Sequence, residues 1–433
     1  MKQAIGLAAV ICFLTSFSFA QDANPAPKIV AVKAAHLVDV KAGRVLDQQI
    51  VLITGDKIER VGAANGFAVP AGATVIDLGS ATLLPGLIDC HVHLTSDPED
   101  SGLRALEISV PREALTGAKN ARLTLEAGFT TVRNVGAKGY SDVALRDAIE
   151  AGDLPGPRMM VSGPALGITG GHCDENHLAP EFNYHDEAVA DGVSAVMAKT
   201  REVIKYRADV IKFCASGGVF SKGDLPGSEQ YSPAEMSAIV TEAHRLGRKV
   251  AAHAHGSLAI VDASNAGVDS IEHGSLIDEE GIRAMKRNGT YLVADIYNDD
   301  FILGEGKKYG FTDEMITKER SIGRQQREGF RKAALAGVKL AFGTDAGVYP
   351  HGDNAKQFAY MVKYGLTPIQ AIQSATVNAA DLLGWSDRVG SIEPGKFADL
   401  IAVEGNPLTN VTVLEHVKFV MTGGHIVKNE LGK

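Results

Sequence analysis

Between residues 84 and 385 the chain repeats one rhythm, a short apolar run followed by an amphipathic stretch, and few folds accommodate it. Eight strand candidates can be read, at 84–94, 130–133, 158–162, 209–214, 249–255, 270–273, 290–295 and 339–345. Helical patterns lie between them, as at 112–127, 233–246 and 278–287, where apolar residues recur every three or four positions. Strands joined through helices pair in parallel, so eight such units predict an α/β protein built on a (β/α)₈ TIM barrel. In that architecture polar groups that do chemistry collect at the carboxyl ends of the strands.

The flanks read differently. Residues 28–83 carry short alternating runs such as Ile29 to Val32, Gln49 to Ile53, Lys57 to Val61 and Thr74 to Leu78, with Thr54-Gly55-Asp56 as a hairpin turn. The same texture returns after residue 386, in Gly390 to Val403 and Val417 to Met421. The two ends are therefore predicted to pair as one small β-sandwich domain, 28–83 plus 386–433, with the 84–385 block inserted between its halves. Residues 1–20 have a basic start at Lys2, an apolar run and small residues before Gln21, the pattern of a secretory signal peptide. The expectation is an exported protein, periplasmic or secreted.

A net charge of −9 argues against a nucleic-acid or anionic-membrane surface. Without Cys12 three cysteines remain, Cys90, Cys173 and Cys214, an odd number lacking the spacing of a disulfide framework or a zinc ribbon. Cys90 and Cys214 read as small core residues, and Cys173 as a free thiol without a role.

What the strands carry at their ends decides the rest. His91 and His93 share one face of the first strand, because side chains two apart point the same way. Strand four carries Lys212, strand five His253 and His255, strand six His273, and strand eight Asp345. Each alone has a plain structural reading: the histidines as core groups bonded to backbone, Lys212 and Asp345 as an ion pair, Asp345 as a helix cap. Together they would bury imidazoles, an amine and a carboxylate around one axis, where each unpaired polar group costs roughly 1–3 kcal/mol and a charge more. Metal ions remove that penalty.

This pattern, with the phrases Leu84-Pro85-Gly86-Leu87-Ile88-Asp89-Cys90-His91-Val92-His93, His253-Ala254-His255-Gly256, Ser270-Ile271-Glu272-His273-Gly274 and Gly343-Thr344-Asp345-Ala346, resembles the amidohydrolase superfamily in its binuclear form. The flanking phrases are similar to its imidazolonepropionase-related branch, which holds Xaa-Pro and other dipeptidases and amidases that cleave N-acyl amino acids such as ochratoxin A. Imidazolonepropionases proper have a mononuclear site without the strand-four lysine, which Lys212 sets apart from this chain.

The resemblance implies two divalent metal ions, zinc first among candidates, with His91, His93 and Asp345 on the more buried one and His253 and His273 on the other. A carbamate on Lys212 would bridge them, and burial among cations would favour the free amine that takes up CO₂. Two metals about 3.5–4 Å apart can hold a hydroxide at neutral pH. Asp345 would accept its proton and pass it to the leaving amine. His255 shares a face with His253 and is expected in the same pocket, as an oxyanion or carbonyl contact or as a structural hydrogen bond.

Substrate contacts are expected from His172 after strand three, Tyr231 after strand four, Arg133 at the end of strand two as a carboxylate partner, and Val219 at the end of the Gly-rich run Ala215 to Val219. Loop packing or structural ion pairs are the competing readings. The implied substrate is a small peptide or N-acyl amino acid, cut at an amide beside a terminal carboxylate. A lactonase, a phosphotriesterase-like or a cyclic-amide hydrolase would use the same metals, and a catalytically silent metal-binding export is the non-enzymatic alternative. The likeness also implies a homo-oligomer, with an octamer as one form.

Overall fold

The computed structural model describes residues 28–431, so the expected signal peptide lies outside the described residues. The chain is a mixed α/β protein with two kinds of sheet. Eight parallel strands come from its middle: β6 Leu87–Val92, β7 Phe129–Asn134, β8 Arg158–Val161, β9 Val210–Cys214, β10 Lys249–Ala254, β11 Ser270–His273, β12 Tyr291–Val293 and β13 Lys339–Leu340. Helices return the chain between them, among them α1 Val110–Glu126, α2 Ser141–Glu150, α3 Val193–Lys205, α4 Pro233–Arg245, α5 Ser257–Ala266, α6 Glu279–Asn288, α7 Asn298–Glu305 and α8 Asp313–Leu335. Local chemistry sets their starts. At α4 the Ser232 and Glu235 side chains each accept from the other's backbone N–H, satisfying two donors that a helix end leaves free.

The parallel strands lie in two sheets, β6-β7-β8 and β9 to β13 in order, rather than in one continuous ladder. A few backbone hydrogen bonds and isolated bridges join their edges. At one seam Cys90 donates to Phe342 O at 2.8 Å and Val92 bridges Ala346; at the other Leu166 donates to Lys212 O at 2.9 Å and bridges Phe213. The last predicted strand keeps ladder pairing only at Lys339–Leu340, because the stretch after it bonds to β6 instead. Val132, Val161, Ile211, Val250, Ile271, Leu292 and Phe342 belong to one buried core beneath the helices.

The two chain ends form one branched, hydrogen-bonded eight-stranded sheet. Its strands are β1 Ile29–Asp39, β2 Arg44–Thr54, β3 Lys57–Ala63, β4 Thr74–Asp77, β5 Thr82–Pro85, β14 Leu400–Val403, β15 Phe419–Thr422 and β16 His425–Asn429. Its continuity comes from β5, which pairs with β1 on one side and β14 on the other and so stitches both ends into a single ladder. The stretch predicted as one strand at 84–94 is accordingly two. Gly86 divides it: a side chain there would meet Thr130 Oγ1 at 2.0 Å, so only glycine lets the chain pass from the terminal sheet into β6.

Candidate metal centre

The carboxyl ends of these strands bring six predicted residues around one cavity of about 340 Å³: His91, His93, Lys212, His253, His273 and Asp345 line it together with His255 and His172. A larger cavity of about 1090 Å³, by Trp385 and Arg388, lies at the opposite ends of the strands and holds none of these histidines.

Asp345 sits at the centre. Its Oδ1 is 3.3 Å from His91 Nε2 and 3.2 Å from His93 Nε2, while Oδ2 accepts from Asn298 Nδ2 at 3.2 Å. Burial pushes its carboxyl up, but the two imidazoles hold it well below the usual carboxylate range. His91 is fully buried and donates from Nδ1 to Glu272 Oε2 at 2.9 Å. Its other nitrogen, Nε2, has no hydrogen-bond partner, because the Asp345 oxygen lies off the direction an N–H would take. An imidazole between two carboxylates with its free nitrogen unpaired calls for positive charge at that point. A divalent metal ion would satisfy it, and imidazoles with a carboxylate are donors such ions take.

The second group is His253, His255 and His273, whose candidate ligand atoms all lie within 4.8 Å of one another; His91, His273 and Asp345 form a second such set. His273 donates from Nδ1 to Asp295 Oδ1 at 3.0 Å, and Gln326 and Asn298 in turn hold Asp295. His253 bonds Gly217 O at 3.2 Å through Nε2, and His255 bonds Ser275 Oγ at 2.7 Å through Nδ1. Burial and the crowd of neighbouring imidazoles hold both His253 and His255 well below the ordinary histidine range, so they are neutral with a lone pair to offer. His255 thus stands among the candidate ligands, where the sequence had placed it as an oxyanion contact.

Lys212 is buried at 3% exposure, and among the described residues its amine makes no ion pair and no hydrogen bond. The alternative of a Lys212–Asp345 ion pair is therefore absent. Burial is the main cause that lowers its pKa, toward the neutral amine.

Backbone strain marks the same place. His273 and Asp345 have φ of 69° and 57°, a left-handed conformation uncommon outside glycine, and it turns each side chain into the cavity at the point where its strand ends. Asp89 holds that turn. Its Oδ1 accepts from the backbone of His91 and Thr344 at 3.1 and 3.2 Å, and its Oδ2 from Thr344 Oγ1 and Asn354 Nδ2 at 2.6 and 2.8 Å.

Two predicted substrate contacts are corrected. Arg133 is 1% exposed, does not line the cavity, and binds Glu272 Oε1 at 2.7 Å, Cys90 O at 2.6 Å and Ser270 Oγ at 3.0 Å, so its guanidinium is held in the core and not at a substrate carboxylate. Tyr231 is fully buried beside Phe213 and donates to Ala190 O at 3.1 Å, away from the cavity. His172 and Val219 do line the cavity. The His172 ring stacks on His253 at 4.2 Å between centroids and bonds Ser221 Oγ at 2.8 Å. The Gly-rich run serves this ring: a side chain on Gly218 would strike the imidazole at 2.2 Å. Cys173 and Cys214 are joined as a disulfide, with Cα atoms 6.1 Å apart, which overturns the reading of a free thiol and a core residue; among the described residues Cys90 alone is free, and it is buried. Spacing along the chain carries no sign of this pairing, since the two are 41 residues apart and meet only through the loop after β8.

Several residues of the site have no role in the sequence reading. Glu272 stands directly before His273, and Asp295 ends a predicted strand, so their positions were a usable signal. Gln326 and Glu319 come from α8, whose polar residues look like any solvated helix face. Glu319 is 4% exposed, lines the cavity and makes no hydrogen bond among the described residues; burial and the nearby Asp299 and Asp295 push its carboxyl up to about 8.

Residues 82–427 match the amidohydrolase family. Ochratoxinase of Aspergillus niger is 36% identical over 375 residues, covering 80% of this chain and 75% of that protein. The structure of a Xaa-Pro dipeptidase with methionine bound in its active site is similar with a TM-score of 0.86 and 39% identity, over 92% of this chain and 99% of the other. A prolidase complexed with N-methylphosphonate-L-proline is similar with a TM-score of 0.85 and 32% identity, over 93% and 100%.

Proposed function

The chain belongs to the amidohydrolase family, and from that premise we propose that it hydrolyses an amide or peptide bond beside a terminal carboxylate, in a dipeptide or an N-acyl amino acid, on two divalent metal ions. The two parallel sheets are read as the (β/α)₈ barrel of that family. The observation that carries the reading is the unpartnered His91 Nε2, buried and 3.3 Å from the Asp345 carboxylate, on a cavity lined by four further histidines from the same strand ends. Support for the bond comes from the relatives, a dipeptidase and a prolidase among them, whose substrates end in a carboxylate.

His91, His93 and Asp345 would hold one ion and His253 and His273 the other, with His255 near enough to join the second. Lys212, unpaired and driven toward the free amine, is placed to be carboxylated and shared between them. When bound, divalent cations here supply Lewis acidity that brings the pKa of water toward neutrality and polarises a carbonyl. The chain does the rest. Asp345, held ionised by its imidazole neighbours and steadied by Asn298, accepts the proton of the attacking water and returns it to the leaving amine. Glu272 and Asp295 fix the tautomers of His91 and His273 by accepting from Nδ1, which aims each Nε2 lone pair inward. His172, stacked on His253 at the wall, is placed to meet the substrate carboxylate. Export and assembly into a homo-oligomer belong to the same reading.

The test is elemental analysis of the purified protein beside a panel of Xaa-Pro and other dipeptides, N-acyl-phenylalanine, a lactone and an organophosphate triester. Two equivalents of metal with turnover confined to the peptides and N-acyl amino acids is the expected result. Turnover of the lactone or triester alone would refute the amide assignment. Lys212→Ala should lower metal content toward one ion or none together with activity, and two tightly held ions in that variant would refute the shared carbamate.

A further inference from the structure

Resting on the reading of this cavity as the hydrolytic site, we propose that the Cys173–Cys214 disulfide is a redox-sensitive positioning element that holds His172 in its place over His253. Cys214 ends β9 two residues beyond Lys212, on the same side of the strand, and both side chains line the cavity. Cys173 directly follows His172. The bridge therefore ties a wall residue of the pocket to the strand that carries the central lysine.

The loop it anchors is long. Residues 162–192 connect β8 to α3 with no regular element beyond one short turn at Pro180–Phe182. Loops of this length are ordered by specific ties or not at all. At its start Leu166 bonds both Lys212 O and Cys214 N at 2.9 Å. Further out, Asp174 gathers Gly170 N, His185 Nδ1 and Asp186 N, which ties the loop to itself and not to the strands. At His172 the ties to the rest of the site are the disulfide, a bond from its backbone N–H to Gln230 Oε1 at 3.0 Å, and its ring bond to Ser221. The fit is close on both sides, since a side chain at Gly167 would meet Cys173 Cβ at 2.7 Å. Losing the covalent tie leaves His172 held by two hydrogen bonds and the stack on His253, all non-covalent.

A dithiol can break it from the cavity side. Cys173 is the more exposed partner and Cys214 is 2% exposed. One thiolate of the reductant attacks Cys173 Sγ and expels Cys214 as a thiolate, which takes up a proton. The second thiolate then attacks the reductant's own sulfur in the mixed disulfide and releases Cys173, leaving two protein thiols and one cyclic disulfide.

The experiment uses the metal-loaded, oxidised enzyme. Alkylation after denaturation without reductant should label Cys90 and leave Cys173 and Cys214 unlabelled. Dithiothreitol should raise KM with a smaller change in kcat, lowering kcat/KM roughly 10-fold to 100-fold, the cost of a catalytic group displaced by about an ångström. The Cys173→Ala/Cys214→Ala variant should show the same kinetic change and keep its metal, and dithiothreitol should leave it unaffected, which separates reduction from metal chelation. In a His172→Ala background, removing the bridge should change KM little further. Amide hydrogen exchange across 162–192 should quicken on reduction, a readout independent of turnover. Labelling of Cys173 and Cys214 in the untreated protein, or unchanged exchange and KM after reduction, would overturn the proposal. An oxidised enzyme without metal or turnover would instead refute the hydrolytic reading, and the exchange measurement would still judge the bridge.

Discussion

Glu272→Gln is the sharpest perturbation of this site, because one buried carboxylate serves three partners at once. Its Oε1 meets Arg133 Nη2 at 2.7 Å and Ser270 Oγ at 2.5 Å, and its Oε2 meets His91 Nδ1 at 2.9 Å. Burial alone would raise its pKa, yet Arg133 and His91 pull it down to about 2 from an ordinary 4.5. A depressed carboxyl stabilises the fold above its unfolded pKa and loses that contribution as pH falls through the folded value. The shift corresponds to roughly 3 kcal/mol at neutral pH, fading between about pH 4.5 and 2. Breaking a buried pair from one side costs roughly 3–5 kcal/mol, since the Arg133 guanidinium stays inside without its counter-charge. Both routes give about 3–4 kcal/mol. His91 loses its ionic acceptor in the same step, which should weaken metal binding by roughly 10-fold to 100-fold. Urea unfolding of the metal-free protein at pH 7 reads the first effect, and chelator competition on the loaded protein reads the second. Adding Arg133→Met should recover part of the stability but none of the metal affinity, which splits the two roles. A Glu272→Gln variant within about 0.5 kcal/mol of the parent, holding metal as tightly, would refute the argument.

Tyr231→Phe removes one hydrogen bond to Ala190 O from an otherwise apolar environment. It should cost about 1 kcal/mol in thermal or urea unfolding and leave kcat/KM near the parent value; a severe kinetic loss would return Tyr231 to the site. Glu319→Gln tests the raised carboxyl in metal-free protein. A carboxyl at about 8, above its ordinary 4.5, favours the fold while protonated and loses that advantage as pH rises through about 8. The variant should therefore gain stability relative to the parent between pH 5 and 9, and melting curves that shift equally at both pH values would contradict it.

The helix-and-strand order, the parallel strands and the pairing of the two ends were legible because hydrophobic periodicity and turn residues are local properties. The helices begin and end within about two residues of their predicted bounds at 112–127, 233–246 and 278–287. Two expectations failed where a partner distant in the chain decides. The strand at 84–94 divides at Gly86 because Asp399 and Thr130 meet it there. The strand at 339–345 gives up its ladder to bond β6. The terminal strands close into one branched sheet because β5 has partners on both edges.

His91, His253, His273 and Asp345, whose ligand atoms come close enough to hold a metal ion, could be named from the chain alone, since residues at alternate positions of a strand share a face and strand ends in such a topology converge. What each polar residue faces is a different matter. Arg133 and Tyr231 have the same side chains whether they meet a substrate or a carbonyl in the core, and only the packed structure turned them inward. The pairing of Cys173 with Cys214, the grip of Glu272 on His91 and the carboxyl of Glu319 in the cavity wall all join groups far apart in sequence. Periodicity says which face a residue takes, and distances between faces exist only once the chain has folded.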